Sequence, residues 1–290
     1  MAHPRFLIIG AQKAGTTWLA DMLRQHPEIS MPTTKEVHFF NKAYNYKKGL
    51  EWYERQFSEC SEEAVQGEAT PNYLWTSTAS EEIKESNRIR NIPEKVHDAY
   101  PDAKLIVSLR EPLDRAISAY RTLIRGGRIS PHHSITEVAH RHGIVTMGDY
   151  ETHIRRWFEY FSPFQFQFLI FEEDIKQDRR ATLRKIYQFL DVDPTFVPDS
   201  VDERKHPSLG PLYRTLLYYL PWIKPVVKTL LPDLRRDKLP LRTSFQGQDV
   251  STKERRQLKK QFASFNRNLP ELIDREPVWW SEGVRNSDDQ

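Results

Sequence analysis

The sequence predicts an α/β chain: a central parallel sheet flanked by helices, with a phosphate-loop-like corner at its first strand. Three observations predict it. Strand-like apolar runs alternate with helix-periodic segments along the chain, the pattern of a parallel sheet covered on both faces. The first run breaks through a glycine loop straight into helix-forming sequence, an order that builds an anion-binding corner. The same strand–turn–helix order returns over residues 104–120.

The first strand is expected over Phe6–Gly10, a run rich in leucine and isoleucine. The loop Gly10-Ala11-Gln12-Lys13-Ala14-Gly15 follows, then Thr16-Thr17 and a helix-spaced segment over Trp18–Arg24. Loop and first-turn N–H groups lack intrahelical acceptors, and the helix dipole adds partial positive charge there. The spacing Gly10-x-x-x-x-Gly15 matches the nucleotide phosphate loop, but Thr16 stands where that loop has its lysine. The cation is displaced to Lys13, which points to an anionic group handled differently from an ATP γ-phosphate. Further strands are expected over Val65–Ala69, Leu105–Leu109 and Phe166–Phe171, and helices over Leu113–Leu123 and Ala181–Leu190. Arg110 closes its strand, Pro112 suits a first helical turn, and Ser118 lies two turns along that helix. Arginine offers a planar fork to phosphate oxygens and serine adds a hydroxyl donor. Ligands of such sheets gather at the carboxyl ends of the strands.

The 290 residues suffice for a full α/β core, and no linker, repeat or low-complexity tract divides them, so one domain over 1–290 is expected. A net charge of +3 is too small to imply nucleic acid. The basic run Lys253–Lys260 reads as a solvated helix face. Cys60 is the only cysteine, and the chain enters its first strand directly after Met1-Ala2-His3-Pro4-Arg5. A cytoplasmic enzyme is therefore expected. His132-His133 and His140-x-His142 form no recognised metal set with carboxylates. Residues 211–232 are apolar and aromatic, but Arg214, Lys224, Lys228 and four prolines exclude a spanning helix. The segment suits a lid, a peripheral membrane contact for a lipid-linked acceptor, a dimer face, or ordinary packed helices. Tyr213, Tyr218, Tyr219 and Trp222 would suit sugar rings.

The two anion corners together resemble the nucleotide site of sulfotransferases that use 3′-phosphoadenosine 5′-phosphosulfate (PAPS). Lys35-Glu36-Val37-His38-Phe39-Phe40-Asn41 resembles the Glu-x-His-Phe-Phe segment of the heparan-sulfate-type branch. Gly67-Glu68-Ala69-Thr70-Pro71-Asn72-Tyr73 resembles its Glu-Lys-Thr-Pro-x-Tyr segment, and Phe265–Leu269 through Trp279-Trp280 its C-terminal pattern more weakly. The resemblance implies the sulfotransferase fold and transfer of a sulfuryl group in line to an acceptor hydroxyl or amine. Adenosine 3′,5′-bisphosphate is then released, with no metal. It assigns Gln12, Lys13, Ala14, Gly15, Thr16 and Thr17 to the 5′-phosphosulfate, and Arg110, Ser118 and Arg204 to the 3′-phosphate. Trp18 lies against adenine by this reading, with a core position as the competing role. Lys13 would neutralise the leaving phosphate and Glu36 would act as general base. His38 orients the acceptor, serves as the base itself, or is simply packed. Glu68 supports Lys13 or nearby backbone.

Departures matter too. Ala69 replaces the branch's lysine, and Asp202-Glu203 replace Lys-Gly ahead of Arg204, where Lys205 is a possible substitute. The implied acceptor is a carbohydrate or glycolipid, with a small secondary-metabolite alcohol or phenol as the alternative. A phosphate-loop kinase would need the lysine that Gly15-Thr16-Thr17 lacks, and a carboxylate where Arg110 stands. A nucleotide-binding module without turnover would have no use for Lys13, Glu36 and His38 together.

Overall fold

The computed structural model describes residues 3–76, 91–203 and 250–280. These fall into two compact units, the first drawn from Met1–Glu111, Asp149–Asp202 and Phe265–Gln290, the second from Pro112–Gly148 and Glu203–Ser264. The strands are β1 Phe6–Gly10, β2 Ile29–Ser30, β3 Val65–Ala69, β4 Lys104–Leu109 and β5 Phe166–Ile170. The helices are α1 Thr16–Leu23, α2 Ala43–Tyr46, α3 Leu50–Glu54, α4 Ile92–Ala99, α5 Pro112–Arg125, α6 Tyr150–Phe158, α7 Arg179–Leu190, α8 Thr252–Phe265 and α9 Leu269–Ile273.

All five strands lie in the first unit, every pairing is parallel, and their order is β2-β3-β1-β4-β5. The alternation of side chains along each strand explains the layers. Leu7, Ile9, Leu105, Val107 and Leu109 face one way and meet Tyr53, Ile92, Val96, Tyr150, Ile154 and Trp157 from α3, α4 and α6. Phe6, Ile8, Ile106 and Leu169 face the other way, against Leu19 and Leu23 of α1 and Leu183 and Ile186 of α7. Each such fully buried aliphatic side chain contributes about 1.5–3 kcal/mol. The predicted parallel sheet with helices on both faces is what the chain forms.

The bounds of β1 and β3 are those expected, and β4 starts one residue earlier, at Lys104. β5 stops one residue earlier than expected, because Phe171–Ile175 winds into a wide turn. Asp174 closes it, accepting a 2.5 Å hydrogen bond from the Ile170 N–H. α1 begins two residues before Trp18, at Thr16. α7 is longer than expected at its start, where Asp178 caps it by accepting from the Ala181 N–H at 3.1 Å.

The second unit holds α5 and most of α8. Arg115, fully buried on α5, donates to the carbonyls of Gly143 and Ile144. Leu258 and Phe262 are the buried residues of α8, while Lys253, Arg256 and Lys260 are exposed. The basic run is a solvated helix face, as the sequence indicated.

Candidate active site

The loop after β1 is held from below by β4. The Ala11 N–H donates to the Ser108 carbonyl at 2.7 Å, and the Ser108 hydroxyl donates to the Ala14 carbonyl at 2.6 Å. Gly15, the N-cap of α1, has φ 83°, and a Cβ there would lie 2.9 Å from side-chain carbons of Phe171 and Ile175. Only glycine meets both conditions. Lys13 also lies in the left-handed region, at φ 73°, a conformation uncommon for a lysine.

β4 runs beside β1, so its end brings Arg110 to that loop. The Arg110 Nη1 donates to the Lys13 carbonyl at 3.2 Å, its Nε is 3.8 Å from a Glu172 oxygen, and its guanidinium lies 5.0 Å from the Phe171 ring centre. Tyr150 holds the same corner, its hydroxyl donating to the Arg110 carbonyl at 2.8 Å. Burial pushes the Glu172 carboxyl above the usual range, against the lowering pull of Lys176 and Arg110. The two predicted anion corners thus meet at Lys13 and Arg110.

Thr16 is buried and Thr17 accepts a 2.9 Å hydrogen bond from the Lys35 Nζ. Gln12 Nε2 donates to Asn72 Oδ1 at 3.3 Å. Trp18 is half-buried against the α1–α7 layer, with the Arg179 guanidinium 5.4 Å from its ring centre. Ser118 is half-buried on α5, in the second unit. Arg204, Lys205 and the 211–232 segment lie outside the described residues.

Glu36 and His38 are brought together. An extended segment would put them on one face, but His38 takes φ 54° and the segment turns. The turn itself folds the His38 Nε2 to 3.1 Å from a Glu36 oxygen, while its Nδ1 is 3.2 Å from Asn41 Oδ1. Both side chains keep solvent contact, at 26% and 34% exposure. Glu68, at the end of β3, is 2% exposed. It accepts from the Tyr53 and Thr70 hydroxyls at 3.0 Å each. Burial pushes its carboxyl up, and these hydrogen bonds only partly offset that.

Sequence reasoning gave no role to Lys35 or Glu172. Lys35 was legible as the neighbour of Glu36, whereas Glu172 follows a strand end with no motif to mark it. Among the described residues, no three His, Cys, Asp or Glu side chains gather as a metal-ligating group.

A family model described as "Sulfotransferase domain" matches residues 3–209. Heparan sulfate glucosamine 3-O-sulfotransferase 5 of Mus musculus is 27% identical over 202 residues, 66% of this chain and 54% of that protein. Heparan sulfate glucosamine 3-O-sulfotransferase 6 of Homo sapiens is 31% identical over 196 residues, 64% of this chain and 52% of that protein. The chain thus spans about half the length of these relatives. A crystal structure of a sulfotransferase from Alicyclobacillus acidocaldarius matches with TM-score 0.66 and 26% identity, covering 97% of this chain and 100% of that one.

Proposed function

The chain belongs to the sulfotransferase domain family, and from that premise we propose that it moves the sulfuryl group of PAPS to a carbohydrate hydroxyl or amine. The observation that carries the proposal is the meeting of Lys13 and Arg110 at the start of α1, 3.2 Å apart through the Lys13 carbonyl. Loop N–H groups, a helix dipole and these two cations suit a nucleotide with several anionic groups. Lys35, bonded to Thr17, ties the Glu36–His38 pair to the same helix start.

In the reaction a new S–O (or S–N) bond forms to the acceptor as the bond from sulfur to the bridging phosphate oxygen breaks. The acceptor's proton passes to the Glu36–His38 pair. The negative charge released on the 5′-phosphate is met by Lys13, and adenosine 3′,5′-bisphosphate leaves. Arg110 is assigned to the 3′-phosphate. Ser118 and Arg204 keep that assignment on their motifs alone, and Trp18 its place beside adenine.

A glucosamine-bearing polysaccharide is the acceptor class we favour, since the relatives above are named for heparan sulfate glucosamine. A glycolipid acceptor, reached by peripheral membrane contact through residues 211–232, and a cytoplasmic location belong to the same proposal. Calorimetric titration tests the donor site. Adenosine 3′,5′-bisphosphate should bind at micromolar concentration and adenosine 5′-monophosphate far more weakly. Equal or absent binding of both sinks the reading. Transfer of labelled sulfate from PAPS to glucosamine oligosaccharides, glycolipids and phenols then identifies the acceptor.

A further inference from the structure

Glu68 has no direct contact with the groups assigned to the chemistry, yet its hydrogen bonds lead to them. Its carboxylate is an acceptor only, and it takes the protons of two hydroxyls, Tyr53 and Thr70. A hydroxyl whose proton is so committed turns its lone pairs away from the carboxylate. The Thr70 lone pairs accept the His38 N–H at 3.4 Å. Those of Tyr73 accept the Phe39 N–H at 3.0 Å and the Phe40 N–H at 3.4 Å. The His38 N–H is therefore tied through Thr70 to the buried carboxylate, and the Phe39 and Phe40 N–H groups that follow it are held by the Tyr73 hydroxyl.

The packing agrees. Phe39 stacks on Tyr53 at 4.7 Å between ring centres, and Phe40 meets Tyr73 edge-on at 5.7 Å, so the rings fix the same hydroxyls. His38 at φ 54° needs such support, because left-handed backbone is unfavourable by itself for a non-glycine residue.

We propose that Glu68 is a positioning residue of the sulfuryl-transfer site: through the Thr70 hydroxyl it sets the backbone turn that aims His38 at Glu36 and both at the acceptor. The role rests on the function proposed above. A carboxamide in the same place also presents an N–H2 group, so one of the two hydroxyls must reverse, and where that is Thr70 the turn loses an acceptor. Displacements on the scale of 1 Å in such a turn cost roughly 100-fold in rate.

Two measurements on the full-length protein test this. Amide hydrogen exchange of the ligand-free protein comes first. Glu68→Gln and Thr70→Val should each speed exchange at His38, Phe39 or Phe40 while leaving β1 and β4 protected. Unchanged exchange at those amides overturns the proposal whatever the activity shows. Steady-state kinetics with PAPS comes second. Each variant should lower kcat about 10- to 100-fold with the affinity for adenosine 3′,5′-bisphosphate within about threefold of the parent. The double variant should be no worse than the poorer single one. Thr70→Ser, which restores the hydroxyl, should recover turnover to within about threefold of the parent. Additive losses, a loss confined to nucleotide affinity, or no rescue by serine overturns the role. A parent protein that binds the bisphosphate but transfers no sulfate fails the functional reading instead, and exchange still decides whether Glu68 sets the turn.

Discussion

Lys13 is held in left-handed backbone, at φ 73°, with its carbonyl taken by Arg110. On the proposed role, its ammonium meets the charge released on the 5′-phosphate. Lys13→Ala is expected to lower kcat about 10²–10³-fold while the melting temperature holds. Arg110→Ala should act differently, weakening bisphosphate affinity more than turnover at saturation. The Glu36–His38 pair is decided by paired variants. Glu36→Gln should cost about 10²–10⁴-fold in kcat if the carboxylate is the base, and near-normal turnover moves that role to His38. Glu68 adds a signature in stability. Burial holds its folded-state pKa above the ordinary 4.5, so the native state keeps a proton that the unfolded chain has released. Unfolding free energy should then fall as pH rises from 4.5 through the raised value. Glu172 and Asp149 are raised too and tilt the curve the same way. The informative quantity is the difference: Glu68→Gln should flatten part of that fall in urea-unfolding midpoints measured across pH. A slope identical to the parent's contradicts the burial argument.

At the scale of elements, α6 shows what long-range capping does. Asn266 is 1% exposed, and its Oδ1 accepts from the N–H groups of Tyr150 at 2.9 Å and Glu151 at 3.2 Å. Asp149 accepts from Thr152 N–H at 3.3 Å, so two side chains share the start of that helix. Asn266→Ala should cost about 1–2 kcal/mol of stability, read as a lowered urea midpoint with bisphosphate affinity kept. The same element marks the boundary of what the sequence discloses. Phe6–Gly10 was legible to the residue, because buried parallel strands are written as short apolar runs ended by a break; Val65–Ala69 has the expected bounds although Gln66, Gly67 and Glu68 interrupt any such run. The Lys13 loop was legible because its glycines answer to local backbone. Asn266 was legible only as part of a weak motif, since its partners lie 115 and 116 residues away. The turn at His38 is not legible locally for a like reason. The hydroxyls that hold it come from Thr70 and Tyr73, more than thirty residues downstream.

Across the whole molecule the formal charge is only +3, so selectivity for a nucleotide depends on where the cations stand rather than on net charge. Lys13 and Arg110 stand at the ends of adjacent strands, β1 and β4, beside the start of α1. A ligand that uses both should bind the native state and not the unfolded chain, and so stabilise it by mass action. At a concentration of about 100 times its dissociation constant, adenosine 3′,5′-bisphosphate should add about 2.7 kcal/mol. That corresponds to a rise in melting temperature of roughly 5 °C for a chain of this size. Adenosine 5′-monophosphate at the same concentration should give a much smaller rise, because it offers nothing to Arg110. Raising the salt concentration should shrink the bisphosphate's effect, since charge pairing in a partly open site is screened. ATP with magnesium is the informative competitor. A phosphate loop that held a nucleotide triphosphate through its metal would show a larger rise with ATP–magnesium than with the bisphosphate. The loop here has Thr16 in place of the lysine such a site requires and Arg110 where its metal-binding carboxylate would stand. The expected order is therefore bisphosphate first, monophosphate well below it and ATP–magnesium lowest. The reverse order would transfer the chain's chemistry from sulfuryl to phosphoryl transfer.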